Sequence, residues 1–262
     1  MGRASMRRRP GPPSLLCGSA PVLVRRLGLH SLDMQGQHSS GPSEGGSRPF
    51  LVAHRAGNCL LQLRATELLG ADLVEADVRL YRGRLEVRHL RTVGPLPILW
   101  DRWQLAAPRR RRLQLAELIE ATAAETELVL DLKGSRTEVS EKTLEAIRPF
   151  LDARRFTVCA RSWPLLDAFA GLPVRRLHSI GTESELRCFL EHFAAHRLDG
   201  VSVHERLLRP DTVAELRAIV DVVLTWTVNR PARARELVRL GVDGIVTDDV
   251  AALSQHGILA PA

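Results

Sequence analysis

Eight short strand-like runs recur along this chain, at residues 50–54, 73–78, 127–132, 156–160, 174–179, 200–204, 222–228 and 244–247. Helical spacing of apolar residues between them predicts helices near 138–151, 163–170, 182–195, 210–219 and 230–240. Strands that alternate with helices in this way pair in parallel, because a parallel connection needs a dozen or more residues and a helix supplies them. Eight such strands imply a closed sheet, so the expected fold is α/β, a single (β/α)8 barrel of the TIM type. The last of these helices is well punctuated, with Asn229 read as its N-cap, Pro231 in its first turn and Gly241 just past its end.

One connection departs from the pattern. Only four residues, Tyr81-Arg82-Gly83-Arg84, separate Leu80 from Leu85, so the second strand must run into a hairpin with the segment 85–90. Within that strand, Glu75 and Asp77 are two residues apart and face the same way, while Val74, Ala76, Val78 and Leu80 cover the opposite face. Two carboxylates side by side repel each other unless a cation sits between them. A three-residue hairpin loop, Arg82 to Arg84, pairs His89 with Asp77 and leaves Glu86 and Arg88 for solvent; a two-residue loop pairs His89 with Ala76. We take the three-residue loop as the expectation.

In barrels of this kind the functional residues gather at the C-terminal ends of the strands. The sequence puts His54 and Arg55, Asp77, Lys133, His204 and Asn229 there. Lys133 stands out in its chain, because Lys133 and Lys142 are the only lysines among 37 basic residues. Asp131 and Lys133 share a strand face by alternation. Between hairpin and barrel, residues 91–112 are Pro- and Arg-rich and carry Trp100 and Trp103; they read as a long loop or a small insertion, followed by helical spacing at Leu113, Leu115, Leu118 and Ile119.

The ends bound the rest. Residues 1–48, rich in Arg, Gly, Pro and Ser, read as a disordered tail, with the barrel over 49–262. That tail holds seven arginines against Asp33 and Glu44, a surplus of five, which leaves only two of the formal +7 for the remaining residues. The charge therefore gives no support to specific nucleic-acid binding by the barrel. An apolar run from Ser14 to Val24 is short, contains Pro21 and leads into Arg25-Arg26, so a cytoplasmic location is expected over export. No transmembrane segment is expected. Cys17, Cys59, Cys159 and Cys188 lack metal or disulfide spacing, and Cys59 reads as a small filler. Nothing in the sequence specifies an oligomeric state.

Five pieces in order resemble the glycerophosphodiester phosphodiesterase family: His54-Arg55, Gly70-Ala71-Asp72 leading into Glu75-Ala76-Asp77-Val78, the hairpin to His89, Asp131-Leu132-Lys133, and the closing runs Trp226-Thr227-Val228-Asn229 and Gly241 to Asp248. The resemblance implies one divalent cation, Mg or Ca, on Glu75, Asp77 and Asp131. It implies His54 as general base and His89 as general acid, Arg55 and Lys133 on the phosphate, and Trp226 against the glycerol carbons. The implied reaction is hydrolysis of a small glycerophosphodiester to glycerol 3-phosphate and an alcohol. A phospholipase D-like or cyclising lyase reaction on a lysophospholipid, and a non-catalytic barrel that binds phosphoesters, are the alternatives. The chain departs from the family where Ala56 precedes Gly57, where Leu90 follows His89 in place of an acid, where no Pro-Glu-Asn-Thr segment occurs between Asn58 and Thr66, and where the third carboxylate is Asp131 rather than Glu.

Overall fold

A computed structural model describes residues 48–92, 99–101, 104–106 and 111–255, with side chains outside 92–110. The expected tail, apart from Arg48, lies outside the described residues, as do Trp103 and the side chain of Trp100. Eight parallel strands, β1 (Phe50–Ala53), β2 (Leu73–Tyr81), β7 (Glu127–Lys133), β8 (Phe156–Ala160), β9 (Val174–Ile180), β10 (Leu198–His204), β11 (Val220–Trp226) and β12 (Gly244–Thr247), form one sheet. The sheet closes because β1 pairs with β12 on one side and with β2 on the other. It is a TIM barrel.

Alternation along the strands sorts the side chains. Val52, Leu73, Val129, Cys159, Leu177, Leu224 and Val246 point inward and pack together as the barrel's own core. The residues between them, such as Leu51, Val74, Leu128, Leu130, Val158 and Val201, face outward. They pack against α1 (Leu60–Leu68), α2 (Leu115–Ala121), α3 (Glu138–Ile147), α4 (Glu183–Phe193), α5 (Pro210–Ile219), α6 (Pro231–Arg239) and α7 (Val250–Gln255). Glycine makes room for the inner core: a Cβ at Gly244 or Gly200 would collide with Leu224 or Leu177.

Three aspartates pin the N-terminal end of the barrel in the same way. Asp72, Asp199 and Asp243 each accept a backbone N–H from the preceding strand in sequence, at Leu51 (2.8 Å), Arg176 (3.0 Å) and Val223 (2.7 Å). Each also pairs with an arginine: Arg48, Arg176 or Arg217. The motif fixes strand to strand at the end away from the site.

Several expectations change. The hairpin of β2 with β3 (Arg84–Val87) has a two-residue loop, Arg82-Gly83, because Tyr81 pairs with Arg84 and Leu80 with Leu85. Both loop residues have positive φ, 48° and 75°, the conformation a tight hairpin turn requires and glycine accommodates. Arg88 is 6% exposed rather than open to solvent; its Nε donates to Glu86 (2.5 Å) and its Nη1 to the Leu90 carbonyl. Residues 91–106 carry a small antiparallel sheet of β4 (Arg91–Thr92), β5 (Leu99–Asp101) and β6 (Gln104–Ala106). The helix expected at 163–170 is a 3-10 helix, Trp163–Phe169, and the helix expected to run to 151 gives way at Arg148–Phe150 to a 3-10 turn that contains Pro149. Arg230, not Asn229, is the N-cap residue of α6, and the Asn229 side chain is engaged elsewhere.

Helix α1 has no counterpart in the sequence reading. It buries Leu63 but leaves Leu61 and Leu68 82% and 90% exposed, so its apolar residues show no single face to read.

Candidate active site

The C-terminal mouth of β1, β2 and β7 gathers the acidic residues. Glu75, Asp77 and Asp131 each offer a carboxylate oxygen, all within 4.8 Å of one another. Parallel register is the cause: Asp77 pairs with Asp131 across β2 and β7, and alternation puts Glu75 on the same inner face one step lower. Lys133, two residues beyond Asp131, returns across the gap, with Nζ 2.7 Å from Asp77 Oδ1 and bonded to Asp131 Oδ2.

The loop after β1 closes on this cluster through backbone close approach. Arg55 sits in the left-handed region (φ 55°) and its N–H donates to Glu75 Oε2 at 2.6 Å. A Cβ at Gly57 would lie 2.7 Å from that of Ala76, so glycine is needed at this step for the loop to lie against β2. The displaced glycine, read from the sequence as a departure, thus has a packing role. Asn58 then grips Asp77 twice: its amide donates to Oδ2 at 2.7 Å, and its carbonyl accepts the Asp77 N–H at 2.9 Å.

His89 reaches the cluster although the hairpin register pairs its backbone level with Ala76. The strand pairing ends at Val87, and the chain turns beyond it, so His89 Nδ1 comes to 3.4 Å from Asp77 Oδ2. Its Nε2 lies 3.3 Å from Arg55 Nη2. The acid expected and missing beside His89 at Leu90 has a counterpart in Asp77 itself.

His54 is held from the opposite end of the sequence. Its Nδ1 is 2.7 Å from Asp248 Oδ1, just past β12. Asp248 Oδ2 accepts from Asn229 Nδ2 at 2.9 Å, while Asn229 Oδ1 accepts the Asp248 N–H and the Thr247 hydroxyl.

The remaining rim comes from β8 to β11. Trp226 donates its indole N–H to the Ser202 carbonyl (3.0 Å) and meets the His204 ring edge-on at 4.8 Å. Arg161, in a two-point ion pair with Glu185 (2.8 and 3.1 Å), lies with Trp226 over Gly181, where a Cβ would come within 3.4 Å of both. His204 accepts the Arg206 N–H through Nδ1, a structural turn contact.

Burial and mutual repulsion set the charges. Burial raises Glu75 well above the usual carboxylate range, and the charges of Asp77 and Asp131 add to this. Burial also raises Asp131, against the pull of Lys133. Burial alone would raise Asp77, but hydrogen bonds from His89, Lys133 and Asn58 outweigh it and hold Asp77 far below its ordinary value. Lys133 is raised, because Asp131, Asp77 and Glu75 outweigh its burial. Three carboxylates crowded together raise one another, as the upward shifts of Glu75 and Asp131 show, and all the ligand atoms are hard oxygens, a donor set that suits a divalent Mg or Ca ion. Arg55 Nε makes no hydrogen bond and lies 3.8 Å from Asp77 Oδ2. Burial lowers His54, with Asp248 pulling the other way, which favours the neutral ring. Cys159, the register partner of Asp131 on β8, is raised well above an ordinary thiol by burial, which disfavours its reactive thiolate form.

Direct contacts join Arg55, Glu75, Asp77, His89, Asp131 and Lys133, whereas His54 is tied to Asp248 and Trp226 to Ser202 and His204. Sequence reasoning missed Asn58 and Asp248. Asp248 had a signal, the Thr247-Asp248 end of the last strand, but no indication of its partner.

A TIM barrel with a carboxylate cluster, two imidazoles and cationic side chains at its mouth holds the side-chain types that phosphodiester hydrolysis uses. Residues 125–252 match the model of the Glycerophosphoryl diester phosphodiesterase family, and the family resemblance in the sequence is thereby borne out. The matched segment includes Asp131, Lys133, Trp226 and Asp248; closure of the barrel joins to it the residues of β1 and β2.

Among solved structures, the chain is similar to an Oleispira antarctica phosphodiesterase in complex with the product sn-glycerol-3-phosphate, at 19% identity and TM-score 0.64, over 80% of this chain and 96% of that one. It is similar to the glycerophosphodiester phosphodiesterase of Thermotoga maritima at 19% identity and TM-score 0.63, over 80% and 99%. A glycerophosphodiester phosphodiesterase of Parabacteroides distasonis follows at 18% and 0.60, over 81% and 98%. At these identities the likeness is one of fold. No curated protein matches the chain. No helix among the described residues is long and apolar enough to cross a membrane.

Proposed function

We propose that this barrel hydrolyses glycerophosphodiesters to glycerol 3-phosphate and an alcohol, with one divalent cation, Mg or Ca, held by Glu75, Asp77 and Asp131. The observation that carries the reading is the convergence of those three carboxylates within 4.8 Å, with Lys133 and His89 against Asp77. The family match over 125–252 and the sn-glycerol-3-phosphate product of the Oleispira enzyme support this choice of substrate.

The bound cation would supply positive charge to the non-bridging phosphate oxygens and polarise the phosphorus. The chain's own residues do the rest. Lys133 and the guanidinium of Arg55 hold phosphate oxygens, and the αL turn at Arg55 fixes where that guanidinium starts. His54, neutral, takes the proton of the attacking water at Nε2 as the new P–O bond forms. His89 returns a proton to the alkoxide as the old P–O bond breaks. Trp226, locked by its bond to Ser202, presents an apolar face for the glycerol carbons. A substrate of this kind is small, and the barrel needs no nucleic acid or membrane segment to act on it.

The test is product analysis. Glycerophosphocholine, glycerophosphoethanolamine and a lysophospholipid are incubated with the full chain, with Mg, with Ca and with chelator. Release of glycerol 3-phosphate that chelator stops is the expected result. A cyclic phosphate product would instead assign the lyase reaction, and absence of metal-dependent turnover on all three would leave a binding barrel.

A further inference from the structure

The imidazole of His54 is not held by its own loop. It is held by a carboxylate 194 residues away in sequence, and that carboxylate is itself oriented by a third side chain. Asn229 Oδ1 accepts two hydrogen bonds, from the Asp248 N–H (2.9 Å) and the Thr247 hydroxyl (3.0 Å). These fix the amide so that Nδ2 can only point at Asp248 Oδ2, 2.9 Å away. Oδ1 of Asp248 is then left to His54 Nδ1 at 2.7 Å. Hydrogen bonds from Asn229 and His54 keep Asp248 ionised, below its usual range in spite of partial burial. An ionised carboxylate accepts only, so His54 Nδ1 must carry the hydrogen and Nε2 must carry the lone pair.

We propose that Asp248 is a positioning residue: with Asn229 it fixes the tautomer and ring plane of His54 so that Nε2 can accept a proton. The proposal rests on the reading of His54 as general base. A neutral imidazole in water carries its proton on either nitrogen, and the Nε2–H form cannot act as a base at the nitrogen that faces away from Asp248. The same network predicts an asymmetry between substitutions. In Asp248→Asn, the Asn229 amide still donates to the oxygen of the new side chain, so the new NH2 group faces His54 Nδ1 and selects the Nε2–H tautomer. In Asp248→Ala, His54 is free to take either form.

The experiment reads the tautomer and the rate separately in the full chain. Imidazole 15N–1H correlation spectra, with His54 identified by its loss in His54→Gln, are expected to show Nδ1–H in the wild type, Nε2–H in Asp248→Asn and a mixture in Asp248→Ala. Turnover of a glycerophosphodiester is expected to fall about a hundredfold or more in kcat for Asp248→Asn and about tenfold for Asp248→Ala, with KM within about twofold. Both substitutions are expected to be silent within about twofold in a His54→Ala background, because they act through that ring. An unchanged His54 tautomer in both variants, or losses that persist without His54, would overturn the proposal. If the spectra behave as expected while no glycerophosphodiester is turned over, the positioning role stands and the proposed reaction falls.

Discussion

The ammonium of Lys133 lies 2.7 Å from Oδ1 of Asp77, in the space between two strands where the Asp131 carboxylate also reaches it. It is the charge that most directly offsets the three carboxylates at the mouth, and its own position is raised in basicity by them.

Lys133→Met should therefore destabilise the cation-free protein and make its stability depend more steeply on added Mg or Ca. We expect the Tm gained on adding metal to be larger in the variant than in the wild type, since a ligand that binds only the folded state stabilises it. Melting curves with chelator and with millimolar metal check this. An equal gain in both proteins would place Lys133 outside the cation's field.

Asp131 is one methylene shorter than the Glu of the family pattern, a difference of roughly 1.5 Å. Ligand distances for hard cations vary by only a few tenths of an ångström. Asp131→Ala is expected to abolish metal-dependent turnover. Asp131→Glu is expected to keep measurable activity with an altered preference between Mg and Ca. Full activity of Asp131→Ala at limiting metal would leave Glu75 and Asp77 as the protein ligands.

His54→Ala and His89→Ala are each expected to lose about a hundred- to ten-thousand-fold in kcat/KM, the usual worth of a positioned proton-transfer group, while remaining folded and able to bind metal. Circular dichroism, metal titration and steady-state rates distinguish these outcomes. Near wild-type activity in His89→Ala would remove it from the chemistry.

Buried His178 is expected to contribute to the acid limb of stability. His178, 9% exposed among Trp163, Phe189 and Phe193, is lowered by burial, and Arg176 lowers it further against the opposite effects of the Gly200 carbonyl, Asp199 and Asp167. Its folded value lies below its unfolded value of about 6.5, so the unfolded chain binds the proton first. Stability is then full above about pH 6.5 and falls as pH drops towards the folded value. His178→Phe keeps an aromatic ring in the cluster and removes the titration, so its denaturation midpoint should change less between pH 7 and pH 5 than that of the wild type. Equal changes would assign the acid limb to other groups.

What the sequence determined by itself is the repeating part of the molecule. Strand alternation and apolar spacing are local, so eight strands, most of their helices and the shared inner face of Glu75 and Asp77, and of Asp131 and Lys133, follow from residues a few positions apart. Helix α1 escaped because exposed Leu61 and Leu68 blur its face. The hairpin loop escaped because Arg82 takes a left-handed conformation that its residue type does not announce. Closure of the barrel decided the rest: it brings β12 beside β1, and with it Asp248 to His54, across 194 residues. A hydrogen bond between side chains depends on where two strands end in space, and no periodicity within either strand carries that information.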